Sequence, residues 1–260
     1  MTISSERVMP AAFFGHGSPM NALAANRFTR AWRDFPGSLP RPRAILVISA
    51  HWYIERTALT AMPNPPTIHD FGGFPKALFD ARYDAPGDPA LAAQIAAMLD
   101  LNATALDQRW GLDHGAWSVL VHLYPEADIP VLQLAIDATK PAAYHWELGT
   151  RLGALRDAGI LVLGSGNIVH NLARVSFRDE APPEWSVRFD AYIERALARE
   201  DRDALVGYEQ HPDARLAAPD PDHFLPLLYI AALRRPSDRL TTIVDGFDLG
   251  SISMRSISIG

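Results

Sequence analysis

The chain has 260 residues, 48% of them hydrophobic and 21% charged, which suits one α/β domain with a sizeable buried core. Its net charge of −6, with Arg and Lys scattered along the chain, provides no basic patch for nucleic acid or an anionic membrane. It contains no cysteine, which excludes disulfides, thiolate metal ligands and cysteine nucleophiles, so any metal must be held by His, Asp or Glu.

Residues 1–7 carry no apolar run of the kind a signal peptide needs, and a cytoplasmic location is expected. The run at 11–14 reads as a first strand and leads into Gly15-His16-Gly17. Ser18-Pro19 reads as the cap and first-turn proline of a helix reaching about Phe35. The run at 44–50 is rich in β-branched residues and lacks polar alternation. It reads as a strand buried on both faces, ending at His51-Trp52. A further strand at 57–62 stops at Pro63-Asn64-Pro65-Pro66, and 67–75 form a loop dense in glycine and aromatics.

Asp88-Pro89 opens a helix whose Leu91, Ile95 and Leu99 share one apolar stripe. Residues 110–115 read as a polar loop entering the apolar segment 116–124, and 130–136 as a strand. Lys140-Pro141 opens a helix to about Ala158, with Gly159 as its C-cap. The strand from Ile160 then feeds Gly164-Ser165-Gly166-Asn167 and His170, and helices follow at about 184–199 and 204–208. The segment 224–233 contains Pro226 and is too short for a membrane span, which needs ~20 residues. Residues 251–259 alternate, with a change of phase at Arg255 or Ser256 that predicts a bulge or bend, and they read as a sheet edge available for pairing. No repeat or linker divides the chain, so residues 1–260 are expected to form a single catalytic domain.

In open α/β sheets, ligands bind beyond the carboxyl ends of the strands. His16, His51 and His170 each follow such a strand and should converge there. His114 beside Asp113, and His223 beside Asp222, lie where loops can reach the same edge, and His69 and Asp70 belong to the 67–75 loop. His122 reads as a core residue, His145 as facing outward from its helix, and His211 as a turn residue. The chain has no His-Glu-x-x-His, Gly-x-Ser-x-Gly or P-loop pattern. Neutral imidazoles suit Zn, Fe, Cu or Ni better than Mg or Ca. Spacing alone leaves open a zinc-type triad or a facial set with positions for substrate and oxygen.

Six motifs occur in order: Gly15-His16-Gly17-Ser18-Pro19-Met20, Ser49-Ala50-His51-Trp52, Pro66-Thr67-Ile68-His69-Asp70-Phe71-Gly72-Gly73-Phe74-Pro75, Asp113-His114-Gly115, Gly164-Ser165-Gly166-Asn167-Ile168-Val169-His170-Asn171, and His223-Phe224-Leu225-Pro226-Leu227. Together they resemble the DOPA 4,5-dioxygenase-like group of class III extradiol ring-cleavage dioxygenases, the superfamily of the protocatechuate 4,5-dioxygenase catalytic subunit. The resemblance implies an α/β fold with a central mixed sheet flanked by helices and a metal at the carboxyl-end edge of the strands. By position, His16, His51 and His223 resemble metal ligands, with His170 at or beside the metal. His114 and His170 are expected to exchange protons with the substrate, and His69, Asp70 and Asp113 to shape its pocket.

The wider superfamily has a glutamate where this chain has His223. Three neutral ligands leave a divalent ion its full charge, which favours a bound catecholate and also makes a good zinc site. The implied activity is 4,5-cleavage of a catechol such as DOPA by O2, giving a seco semialdehyde. Fe(II) is expected for catalysis, with Zn(II) as a competing occupant. The implied partners are a small-molecule catechol and O2, without nucleic acid or membrane. The alternative readings are a zinc hydrolase using the same histidines and a metal-binding protein without catalysis.

Overall fold

The apolar runs identified in the sequence become the adjacent central strands of one sheet. The computed structural model describes residues 8–99, 104–178 and 181–260, and the stretch 1–7, read above for a leader, lies outside them. The strands are β1 Ala11–Gly15, β2 Ala44–Ile54, β3 Ala58–Thr60, β4 Ala105–Asp107, β5 Val131–Asp137, β6 Ile160–Gly166, β7 Leu240–Val244, β8 Phe247–Asp248, β9 Ile252–Ser253 and β10 Ser256–Ile259. Eight of them form a mixed sheet in the order β4-β3-β5-β2-β6-β1-β10-β7, and β8 and β9 form a small ribbon. The centre, β5-β2-β6-β1, is parallel, while β10 and β7 run antiparallel on one side and β3 pairs antiparallel with β5 on the other.

The helices are α1 Arg27–Asp34, α2 Lys76–Asp80, α3 Pro89–Met98, α4 His114–Leu123, α5 Ala142–Arg151, α6 Gly153–Asp157, α7 Glu184–Arg199, α8 Arg202–Val206, α9 Ala214–Ala217 and α10 Leu225–Ala231. Successive strand residues point to opposite faces, so each face builds its own core. Phe13, Leu46, Ile48 and Val162 pack with Leu148, Phe189 and Tyr229 on one face, while Phe14, Ile45, Val47 and Leu163 pack with Trp32 and Trp117 on the other. Because both faces are covered, the central strands read as unbroken apolar runs. Among the described residues, no helix is long and apolar enough to cross a membrane.

Several local expectations are corrected. The helix expected from Ser18 to about Phe35 is divided. Ser18 caps only a 3-10 turn, Pro19–Ala22, and Asn26 starts α1 afresh with a capping box whose side chain accepts from Phe28 N and Thr29 N. The helix expected through Ala158 is interrupted at Leu152, which separates α5 from α6. His145 is wholly buried rather than outward-facing, because its ring packs under α10 with Nδ1 2.8 Å from the Tyr229 hydroxyl. The alternating C-terminal segment is split into β9 and β10 with a register shift at Ser256/Ile257, as the change of phase foretold. However, β10 is interior, and the sheet edge is β7.

β2 runs past the predicted end and carries His51 within it. Its pairing with β5 jumps from Ile48↔Leu134 to Tyr53↔Ile136, so residues 49–52 leave the regular ladder with that strand, while Ser49 stays paired with β6. Such an irregularity re-aims side chains, and it falls on the segment that carries Ser49 and His51.

Candidate metal centre and substrate cavity

Four histidines meet at the carboxyl ends of the parallel strands. His16 follows β1, His51 lies in the irregular part of β2, His114 begins α4 and His223 precedes α10. The last approach depends on Gly166, since a Cβ there would collide with the His223 carbonyl oxygen. Asn167 N donates to that same oxygen at 2.8 Å, which ties the His223 backbone to the end of β6. Gly115 plays a similar part for β2, leaving room for the Ser49 hydroxyl and the His51 ring.

The hydrogen-bond network assigns ring tautomers. Ser165 Oγ donates to the Gly115 carbonyl at 2.5 Å, so toward His16 Nδ1, 3.0 Å away, it acts as acceptor. His16 therefore carries its proton on Nδ1 and keeps a lone pair on Nε2. That Nε2 stands 3.1 Å from His51 Nε2, while His51 Nδ1 is 3.5 Å from Asp70 Oδ2. His223 Nδ1 lies 3.1 Å from Asp222 Oδ2, but the angle is not that of a hydrogen bond. Neither ring nitrogen of this buried histidine has a hydrogen-bond partner.

The ligand atoms of His16, His51 and His223 all lie within 4.8 Å of one another. Two imidazole nitrogens about 2.0–2.1 Å from a common zinc ion stand roughly 3 Å apart, close to the His16–His51 spacing. Orphaned buried nitrogens cost free energy unless something binds them. A transition-metal ion with a preference for imidazole therefore fits this donor set. Burial, reinforced by the neighbouring imidazoles, pushes His16 and His223 well below the ordinary histidine range and His51 down to about 3, so all three offer lone pairs rather than charges at neutral pH.

His170 stands outside that set. Its ring lies flat on His223, with centroids 3.5 Å apart and planes within 3°, and burial holds it down to about 4. Expected at or beside the metal, it lies beside the His223 ring and outside the compact group of three. His114 donates from its backbone N to Asp70 Oδ1 at 2.9 Å and from Nδ1 to Asp70 Oδ2 at 3.0 Å, which leaves Nε2 as its free acceptor. Burial pushes the Asp70 carboxyl up, but the His114 hydrogen bonds and the flanking rings outweigh it and hold the group below its usual range. His51, Asp70 and His114 form a second compact group of donors.

A cavity of about 370 Å³ opens over these rings. It is lined by His16, His51, Asp70, His114, His170 and His223 at one end and by Phe71, Phe74, Leu172, Val175, Phe177 and Ile252 elsewhere. Two expected pocket residues are not brought into it. Asp113 is 0% exposed. Its Oδ1 accepts from Ser49 Oγ and Ala116 N and its Oδ2 from Gln133 Nε2 and Trp110 Nε1, so it positions β2 and the start of α4 without touching the cavity. Burial, with Asp70 nearby, raises its pKa. His69 turns away to donate from Nε2 to the Ala81 carbonyl at 2.9 Å and anchors its loop. The sequence reading missed Leu172, Val175 and Phe177, whose spacing carries no periodic signal. Ser165 carries no local signal of its role either, because only the fold brings it to His16.

Comparison with known proteins agrees with this geometry. The family described as the catalytic LigB subunit of aromatic ring-opening dioxygenase matches residues 16–239. A protein of Escherichia coli (strain K12) named 4,5-DOPA dioxygenase extradiol is 48% identical over 263 residues, covering 99% of this chain and 97% of that protein. A Beta vulgaris protein of the same name is 35% identical, covering 97% of each chain. A crystal structure of an uncharacterized protein from Escherichia coli K12 superposes with a TM-score of 0.85 at 43% identity, covering 97% of this chain and 100% of that one. With the family match spanning most of its length and the histidine cluster at its sheet edge, the chain belongs to the LigB family of aromatic ring-opening dioxygenases.

Proposed function

We propose that this protein is an extradiol dioxygenase that opens the ring of a catechol with O2, and that His16, His51 and His223 hold iron(II) as the working metal. The observation that carries the reading is the convergence of three imidazoles, each with an available nitrogen, beneath a small-molecule cavity also lined by His114 and His170. Iron(II) supplies the redox chemistry by which O2 reacts with an aromatic ring, whereas zinc, which suits the same donors, has no redox chemistry. Family membership favours ring opening over the zinc-hydrolase alternative.

The other residues handle substrate and protons. His114 Nε2 takes the proton of a catechol hydroxyl as general base, and Asp70 holds Nδ1–H and stabilises the imidazolium that results. His170, beside His223, returns a proton as the ring opens. The carbon–carbon bond adjoining the hydroxyl-bearing pair breaks, and its ends become a carboxylic acid and an aldehyde. Both atoms of O2 enter the product, so no further reductant is needed. L-DOPA is the first catechol to test because relatives carry its name.

The experiment is anaerobic removal of bound metal, reconstitution with iron(II) or zinc, and measurement of oxygen uptake and visible absorbance with L-DOPA and simple catechols. Stoichiometric uptake with a yellow product in the iron form alone is expected. No uptake with any catechol at confirmed iron occupancy overturns the reading.

A further inference from the structure

The residues lining the cavity change character with depth. The imidazoles and Asp70 are buried or nearly so, whereas the wall continues through Phe71, Phe74 and Val175 to a rim where Leu172 is 67% exposed and Phe177 is 87% exposed. Scattered exposed apolar side chains are ordinary, but these two share one short segment after β6 and extend an apolar wall toward solvent. Among the described residues, no lysine or arginine lines the cavity, and its one carboxylate, Asp70, is committed to His114.

We propose that the cavity selects catechols whose ring substituent is apolar, with Leu172 and Phe177 holding the outer part of that substituent. The inference rests on the dioxygenase reading for the orientation of the ring. With both hydroxyls toward the imidazoles, a substituent at position 4 leaves toward the rim. Along that path each methylene leaves water and also covers Leu172 and Phe177, so both surfaces contribute to binding. A carboxylate on the same path loses hydration and meets no cationic side chain of the lining. A neutral alkylcatechol is therefore a better substrate than an acid of equal length, and L-DOPA, a zwitterion, ranks below it.

The test compares 4-methylcatechol, 4-butylcatechol, 4-hexylcatechol, 3-(3,4-dihydroxyphenyl)propanoate and L-DOPA in two ways. Oxygen uptake by the iron-reconstituted protein gives kcat/KM, and calorimetric titration of the zinc-loaded protein gives Kd without turnover. Both should improve about two- to fourfold per methylene up to butyl, with the propanoate and L-DOPA at least tenfold poorer than butylcatechol. A double variant, Leu172→Ser with Phe177→Ser, should reduce the hexyl-to-methyl ratio at least fivefold at unchanged metal content. A flat or reversed order in the wild type overturns the inference, and equal weakening of every ligand in the double variant overturns the part assigned to those two residues. Ordered binding to the zinc form without oxygen uptake by the iron form sustains the inference and overturns the dioxygenase reading.

Discussion

Replacing Asp70 with Asn removes one charge from the group that backs His114 while keeping size and an acceptor oxygen. In the wild type, Asp70 Oδ2 stands 3.0 Å from His114 Nδ1. A unit charge pair at that distance is worth about 5 kcal/mol at an effective dielectric of ~20. Asp70 lies at a cavity wall open to water, where screening brings the figure to roughly 2–3 kcal/mol. At ~1.4 kcal/mol per decade of rate, kcat should fall about 30–150-fold. The assay is oxygen uptake at saturating catechol, normalised to iron measured in the same sample, because Asp70 also approaches His51 Nδ1 at 3.5 Å and can alter metal affinity. A kcat per iron within threefold of wild type refutes the argument that His114 is charged during the reaction and leans on Asp70. Loss of iron at an unchanged kcat per iron instead makes Asp70 a support for His51.

Ser165→Ala removes the acceptor that keeps the His16 proton on Nδ1. Metal affinity, measured by chelator competition, should fall about 10–100-fold with the fold intact, and an unchanged affinity refutes the tautomer assignment. His145 is held down to about 4, mainly by burial and against the opposing hydrogen bond that its Nε2 donates to Lys140 O. Its folded pKa lies below that of the unfolded chain, so its contribution is complete above about pH 6.5 and is lost as the pH falls toward 4. The loss amounts to about 3 kcal/mol. His145→Gln should flatten that part of the denaturation-midpoint profile, and an identical profile refutes the assignment. Arg156 is buried against both Asp238 oxygens and the carbonyls of Met9 and Leu233. Arg156→Met should cost about 3–5 kcal/mol in urea unfolding by stranding those acceptors, and a cost under 1 kcal/mol excludes this role.

The central strands were legible in the sequence because burial on both faces leaves an unambiguous apolar run, and His16 and His51 were legible because they sit on or just beyond those runs. His170 was legible as a third histidine following such a run, and the family motifs singled out His114 and His223 among the loop histidines. What the chain order does not encode is which side chain faces which. His145 sits in a helix pattern that points it outward, yet the packing of α10 over α5 buries it against Tyr229. Asp113 and Asp70 are both acids near His114, but one is consumed by Ser49, Gln133 and a helix N-terminus while the other faces the cavity. β7 went unpredicted because its half-buried residues make no clear alternation, and its place at the edge depends on β10 closing against β1.

The fold class, the chemistry of the donors and the strand ends that carry His16, His51 and His170 follow from hydrophobic periodicity and residue type, which are local properties. That His16, His51 and His223 form the compact set, that His170 stacks beside it, and that Ser165 holds the His16 tautomer are visible only in the folded chain. Those are relations between residues up to 207 positions apart, from His16 to His223, and they are set by strand register and loop closure, which no local pattern records.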